Sequence, residues 1–187
     1  MPATTTVGPV IRAAVPSDLP LLQEIERAAG APFAAIGMTA VAEDDPPSIE
    51  TLREFVDAER AWVWNDAGVP VGYLIVAVVD GNAHIEQVSV HPTHAGRRIG
   101  RRLIDHAARW AREHALPALT LTTFTEVEWN GPYYQSMGFR YLSADEETPG
   151  LRAIRDTETA HGLDRWPRAC MRAEVPGWVE LSLAAER

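Results

Sequence analysis

The sequence predicts an α/β fold: one domain built on a mixed, twisted central sheet flanked by helices. Three observations carry that prediction. Short apolar stretches with strand-like alternation are interleaved with stretches of helical periodicity. An apolar strand ending near Val90 runs into a turn of glycine and arginine and then into a long amphipathic helix, which makes a parallel crossover. The 187 residues, 46% hydrophobic and 23% charged, suit one domain with a substantial core.

Residues 1–9 read as a loose tail and residues 176–187 as a second, which leaves 10–175 as the domain. Val10–Ala14 is a short strand. Ser17-Asp18 caps a first helix carrying Leu19, Leu22, Ile25 and Ala29 at helical spacing. Gly30–Pro47, rich in Gly, Pro and acids, is a connection within the domain. Ser48 caps a second helix to about Glu59, with Ile49, Leu52, Phe55 and Val56 on one side. Ala61–Asn65 and Val69–Val79 form a hairpin around Asp66-Ala67-Gly68, and Asp80-Gly81-Asn82 turns the chain into a strand at His84–Val90. The central helix spans Arg98 to His114, with Ile99, Leu103, Ala107, Trp110 and Ala111 as its buried stripe. Leu116–Thr123 is the next strand. Asn130-Gly131-Pro132 opens a short helix ending at Gly138, and a strand follows at Phe139–Leu142. A polar helix near Leu151–His161 and a strand near Arg168–Val175 complete the order.

Composition excludes several functions. The formal net charge of −9 argues against nucleic acid as the main partner, because phosphate binding calls for a basic face. All 17 basic residues are arginine, so Schiff-base chemistry, which needs a lysine amine, is absent. Cys170 is the single cysteine, which rules out an intrachain disulfide and a thiolate metal cluster and leaves a buried structural thiol. His91 and His94 have a metal-like spacing but straddle Pro92 and lack companion ligands, so no metal is expected. MPATTTVGPV has neither a basic segment nor an apolar core, and the longest apolar run, Val69–Val79, is too short to span a bilayer. A soluble cytoplasmic protein is the expectation.

The stretch from Glu86 to Gly100, EQVSVHPTHAGRRIG, is the most informative. A strand, a turn that exposes its backbone and a helix N-terminus bring unpaired N–H groups and the positive end of a helix dipole to one spot, which is a recipe for holding phosphate. It is not a Walker loop, since no Gly-Lys-Ser/Thr follows. Gly96 and Gly100 do not give a dinucleotide fingerprint either.

The segment resembles the pyrophosphate loop of the GCN5-related N-acetyltransferases, whose usual form is Gln/Arg-x-x-Gly-x-Gly/Ala after a strand ending in Val-His-Pro. The matching positions are Ala95, Gly96, Arg97, Arg98, Ile99 and Gly100. Ala95 stands where Gln or Arg is usual, and Arg98 where the first glycine is usual. A second stretch, Asn130-Gly-Pro-Tyr-Tyr-Gln-Ser-Met-Gly-Phe139, looks like the later helix of that family, where a tyrosine lies four residues before Gly-Phe. That places the family's tyrosine at Tyr134, with neighbouring Tyr133 leaving the register open.

The resemblance implies a GNAT-like fold and acetyl transfer from acetyl-CoA to an amine by direct transfer in a ternary complex, with no metal. Such a transfer needs a base for the ammonium proton, a donor to the oxyanion and an acid for the departing thiolate. Alternation places His84, Glu86, Val88 and Val90 on one face of their strand, with His84 and Glu86 about 7 Å apart. The resemblance makes Glu86 the first choice of base and His84 the second. Glu86 inside an apolar strand is expected to be buried, and His84 is a candidate for a strand-end surface histidine. By the same resemblance the N–H of Val88 serves the oxyanion, and Val88 and Val90 pair with the pantetheine arm. Tyr134 is the general acid, since a phenol with pKa about 10 stays protonated at pH 7. Arg97, Arg98, Arg101 and Arg102 are candidates to neutralise the phosphates, and Asn130 to contact coenzyme A.

In this family the acceptor lies between the first two helices and the late hairpin. Here that region carries Glu43, Asp44, Asp45, Glu50, Glu54, Asp57 and Glu59, with Asp145, Glu146 and Glu147 opposite. Such acids would steer a small cationic amine, such as an aminoglycoside, a polyamine or a basic amino acid. Trp62, Trp64, Trp129 and Trp166 are candidates for an aromatic pocket. Two alternatives stand beside this reading: a non-catalytic acyl-CoA sensor or interaction module, and a protein or peptide N-acetyltransferase. A homodimer is compatible with the resemblance.

Overall fold

Two tight turns of the same kind organise the antiparallel strands. Ala67 and Gly68 have φ of 49° and 89°, and Asp80 and Gly81 have 48° and 75°. Positive φ at both central residues gives a hairpin turn whose twist matches the strands it joins. The strands are β1 (Val10–Ala13), β2 (Ala61–Asp66), β3 (Val69–Val79), β4 (Asn82–Val90), β5 (Ala118–Phe124), β6 (Arg140–Tyr141) and β7 (Arg168–Glu174). They form a seven-stranded sheet in the order β1-β2-β3-β4-β5-β7-β6. The helices are α1 (Leu19–Gly30), α2 (Pro32–Ala35), α3 (Thr39–Ala42), α4 (Ile49–Asp57), α5 (Ile99–Glu113), α6 (Gly131–Ser136) and α7 (Pro149–Ala160). The computed structural model describes residues 8–180, so most of the predicted N-terminal tail and the last residues of the predicted C-terminal one lie outside the described residues.

The chain divides into two compact units, residues 1–76 with 87–104, and residues 77–86 with 105–187. In the first, β1 pairs antiparallel with β2 from Val10↔Asn65 to Ala13↔Trp62. β2 pairs with β3 through a register shift at Trp64/Asn65. The α1 residues Leu19, Leu22 and Ile25, together with Leu52 of α4, cover Ala61, Val63, Tyr73 and Ile75 of the sheet. In the second unit, β4 and β5 are parallel, as a crossover through a helix requires. β5 pairs with β7 along its whole length, from Ala118↔Glu174 to Phe124↔Arg168. Ala107, Ala108 and Ala111 of α5 are fully buried there.

Three local features differ from the sequence expectation. Gly30–Pro47 contains two short helices, α2 and α3, the first opened by Pro32, whose missing N–H costs nothing at that position. Asp18 does not cap α1 with its side chain. Its carboxylate accepts from the Val15 N–H (2.9 Å) and from both Arg12 terminal nitrogens (2.7 and 3.0 Å), closing the preceding turn. Packing also continues past Val175: the Trp178 indole N–H donates to Asp105 (2.8 Å), and the ring meets Phe139 edge-on at 5.5 Å. Ser48 caps α4 as its sequence predicts, its Oγ accepting the Thr51 N–H at 3.1 Å. Among the described residues, no helix is long and apolar enough to cross a membrane.

Ser48→Ala leaves the Thr51 N–H without its side-chain acceptor, so it should lower stability by about 1 kcal/mol. A downward shift of the urea midpoint with unchanged slope checks this.

Candidate active site

In the first unit the chain leaves β4 through His91, whose N–H donates to Val71 O (2.8 Å), and then makes a 3-10 turn at Pro92–His94. Gly96 takes φ 78° and Arg98 φ 57° before α5 begins at Ile99. Arg98 thus stands in a left-handed conformation that disfavours a side chain by about 1 kcal/mol. The first-turn amides of α5 have no intrahelical acceptor and point out of the helix start. The loop is seated on the sheet at Gly72. A Cβ there would lie 3.1 Å from Ser89 O and 3.2 Å from Ile99 Cγ2, so a side chain at that position would crowd the first residue of α5 where it rests on β3. Arg97 is already engaged, donating to Asp66 (2.7 Å), with His94 Nε2 3.9 Å from the same oxygen.

In the second unit, the ladder of β4 with β5 comprises Ala83↔Leu119 and His84↔Thr120. His84 and Glu86 share a face, as alternation predicts, with Nε2 and Oε2 3.6 Å apart. Their burial is the reverse of the expectation. His84 is 2% exposed and its Nδ1 pairs with Thr120 Oγ1 (3.0 Å), whereas the Glu86 side chain is 42% exposed. Burial pushes the His84 pKa down to about 4, against the pull of nearby Glu158, so the ring is neutral at pH 7. The Glu86 carboxyl is pushed upward, first by the protein crowding it and then by the negative charge of Glu158. Its open flank and its raised pKa are compatible: one edge meets water while the rest faces protein.

Glu158, on α7, was not legible as a site residue. It receives Arg168 through Nε (3.1 Å) and Nη2 (2.7 Å), Arg155 (2.5 Å) and the Thr122 hydroxyl. Burial opposes its ionisation, but the bonds and charge of Arg168 outweigh that and hold its pKa below the usual carboxylate range. Only the Arg155–Glu158 spacing, one helical turn, was visible in the sequence.

Tyr134 lies on α6, half-buried, its ring 5.8 Å from that of Phe139 and edge-on to it; Tyr133 is half-buried beside it. Asn130 precedes α6 and its Oδ1 accepts from Thr123 of β5 (3.0 Å). α6 starts against β5 because residue 131 is glycine: a Cβ there would meet Tyr141 Oη at 2.1 Å and Phe124 O at 3.0 Å. Val88 and Val90 are half-buried. The acidic residues 43–45, 50, 54, 57 and 59 are all exposed. The tryptophans do not share one environment: Trp62 is buried, Trp129 is exposed, and Trp166 packs edge-on against Phe124. Cys170 is buried, and burial raises its pKa to about 12.

This combination of fold and loop defines an acyltransferase. The chain belongs to the acetyltransferase (GNAT) family, whose model matches residues 21–139. Solved structures share the fold at low sequence identity. PaiA N-acetyltransferase from Thermoplasma acidophilum, in complex with coenzyme A, is 14% identical with a TM-score of 0.68, over 90% of this chain and 99% of that one. N-acetylglutamate synthase from Neisseria gonorrhoeae is 17% identical with a TM-score of 0.67, over 90% of this chain and 35% of that one. The ribosomal-protein-S18-alanine N-acetyltransferase from Escherichia coli is 18% identical with a TM-score of 0.63, over 96% and 99%.

The buried neutral His84 carries a signed pH dependence. Its stabilising contribution is fully present above the unfolded pKa near 6.5 and is lost as pH falls toward the folded value of about 4. NMR titration should find the ring neutral through the upper part of that window and half-protonated only at about 4, and His84→Gln should flatten the fall in urea midpoint across it.

Proposed function

We propose that the protein transfers the acetyl group of acetyl-CoA to a primary amine of a small cationic molecule, directly, in a ternary complex. The observation that carries this reading is Glu86, a solvent-open carboxylate with a raised pKa beside a buried, neutral His84. A base poised above the ordinary carboxylate range is suited to take a proton from an incoming ammonium.

The residues fit the cosubstrate. Gly96, Arg98 and the start of α5 present main-chain N–H groups suited to a pyrophosphate, in the positions where the family's loop lies. Ala95, Arg97, Ile99, Gly100 and Arg101 complete that loop, with Arg97 held by Asp66 through one of its terminal nitrogens. The Val88 and Val90 main chain would hold the pantetheine arm as an added strand, and Asn130 would border it. Acetyl-CoA supplies an activated thioester. Glu86 takes the amine proton, the Val88 N–H donates to the carbonyl oxygen as it gains charge, and Tyr134 gives its proton to the departing sulfur. A C–N bond forms and a C–S bond breaks; the second proton that the nitrogen loses returns to the Tyr134 phenolate, and the first leaves Glu86 to water. His84, neutral and bonded to Thr120, orients its neighbour rather than serving as base. The acceptor class rests on the exposed carboxylates of residues 43–59, which would draw a cation toward the protein.

Coenzyme A release from acetyl-CoA, across a panel of small amines and basic peptides, tests this. Release should depend on a small cationic amine and fall at least about tenfold in Tyr134→Phe. Release with peptides alone would move the acceptor to a protein N-terminus, and binding of acetyl-CoA without release would make the chain a sensor.

The pH–rate profile separates the two candidate bases. Activity should rise with pH through the raised Glu86 pKa, and Glu86→Gln should remove that limb along with about 100-fold of the rate. His84→Gln should leave the limb in place.

A further inference from the structure

Within the first unit, the α1 residue Glu26 makes a contact set that the acetyl-transfer chemistry leaves unexplained. Its carboxylate accepts from Tyr73 Oη (2.8 Å), Ser89 Oγ (2.6 Å) and Gln87 Nε2 (2.7 Å), and Gln87 Nε2 also donates to Ser89 Oγ (3.0 Å). Tyr73 is fully buried and Ser89 is 5% exposed. All three donors are neutral, and the nearby charge of Asp44 has the same sign as its own. Burial raises its pKa, and the three bonds only partly reverse that. A carboxylate held this way is a poor source of stability, since desolvating it without a cation is unfavourable and an apolar side chain would pack there at less cost.

What it does provide is geometry. Gln87 and Ser89 are alternate residues of β4, so their side chains leave the strand on one face and bracket Val88. One carboxylate holds both. Turning the Val88 peptide would require breaking bonds on each side of it, so the direction of its N–H is fixed by side chains that never touch it. Tyr73 ties the same carboxylate to β3, and Leu22 and Ile25 bury the adjoining face of α1.

We propose that Glu26 is a positioning residue for acyl transfer: by holding Gln87 and Ser89 it sets the Val88 main chain that serves the thioester oxygen. This rests on the acetyl-transfer reading and adds to it a residue on α1 that acts through β4.

The test uses Glu26→Ala, Glu26→Gln, Ser89→Ala and the Glu26→Ala/Ser89→Ala pair in the full chain. Three quantities are read: Val88 amide exchange by NMR, acetyl-CoA Kd by calorimetry, and kcat with KM for the amine. In Glu26→Ala, Val88 exchange should quicken and kcat should fall, each by about tenfold, while amine KM stays within about twofold. Glu26→Gln should recover most of the rate. The double variant should be no worse than Glu26→Ala, since both remove the same tether. Ser89→Ala, which leaves the carboxylate two donors, decides the question if Glu26→Ala does not fold; it should quicken Val88 exchange about threefold. Unchanged Val88 exchange, or strictly additive losses, would overturn the proposal. A loss confined to amine KM would also overturn it and assign Glu26 to acceptor binding. Absence of coenzyme A release by the unaltered protein sinks the acetyl-transfer reading instead, while Val88 exchange, which needs no turnover, still decides whether Glu26 holds the strand.

Discussion

A strand's main-chain groups must be satisfied somewhere, and the two-pair ladder between β4 and β5 leaves much of β4 dependent on other partners. Much of the local architecture answers that demand. Within the first unit, β3 and the Glu26 carboxylate hold residues 87–90 from one side, and the His91 N–H closes the strand onto Val71 O. A strand secured this way can keep main-chain donors for a ligand without collapsing onto a neighbour, which is the preorganisation that acyl transfer asks of its oxyanion donor.

Three carboxylates show how environment, rather than residue type, assigns chemistry. Glu158 is surrounded by two guanidinium groups and is held ionised. Glu86 is raised first by burial and then by the like charge of Glu158, so its proton is held more tightly. Glu26 accepts from three neutral donors, and burial, with the like charge of Asp44, raises its pKa. The first suits a fixed charge, the second the proton acceptor proposed for acyl transfer and the third the proposed anchor of β4. Separation of neighbouring pKa values by surroundings is a general route to acid and base roles within one fold.

Features set by adjacent residues were the most legible in the sequence. The Ala67-Gly68 and Asp80-Gly81 turns and the Ser48 cap follow from local backbone and side-chain preferences, and all appear where expected. Alternation placed His84 and Glu86 on one face, but whether that face is covered depends on Thr120 beside it and on the charges around it, which no strand encodes for itself. That is why their burial was inverted. Arg168 meets Glu158 from a different element, and Glu26 meets residues 47, 61 and 63 positions away, so neither cluster had a signature at any short spacing. The short helices between residues 30 and 47 were hidden by Gly and Pro, which mark turns yet also sit comfortably at helix ends. Asp18 has the residue type and place of a cap, whereas its pairing with Arg12 depends on how the chain turns between them.

Gly72 has a bearing on how this chain can drift in sequence. Its missing side chain leaves the space in which Ile99, 27 positions later, approaches the sheet, so the seat of the loop before α5 is written well ahead of the loop itself. The grip proposed for that loop comes from its main chain, so it depends little on the side chains of Ala95 and Arg98. A side chain added at residue 72 would therefore be felt at the start of α5, far along the chain from where the change was made.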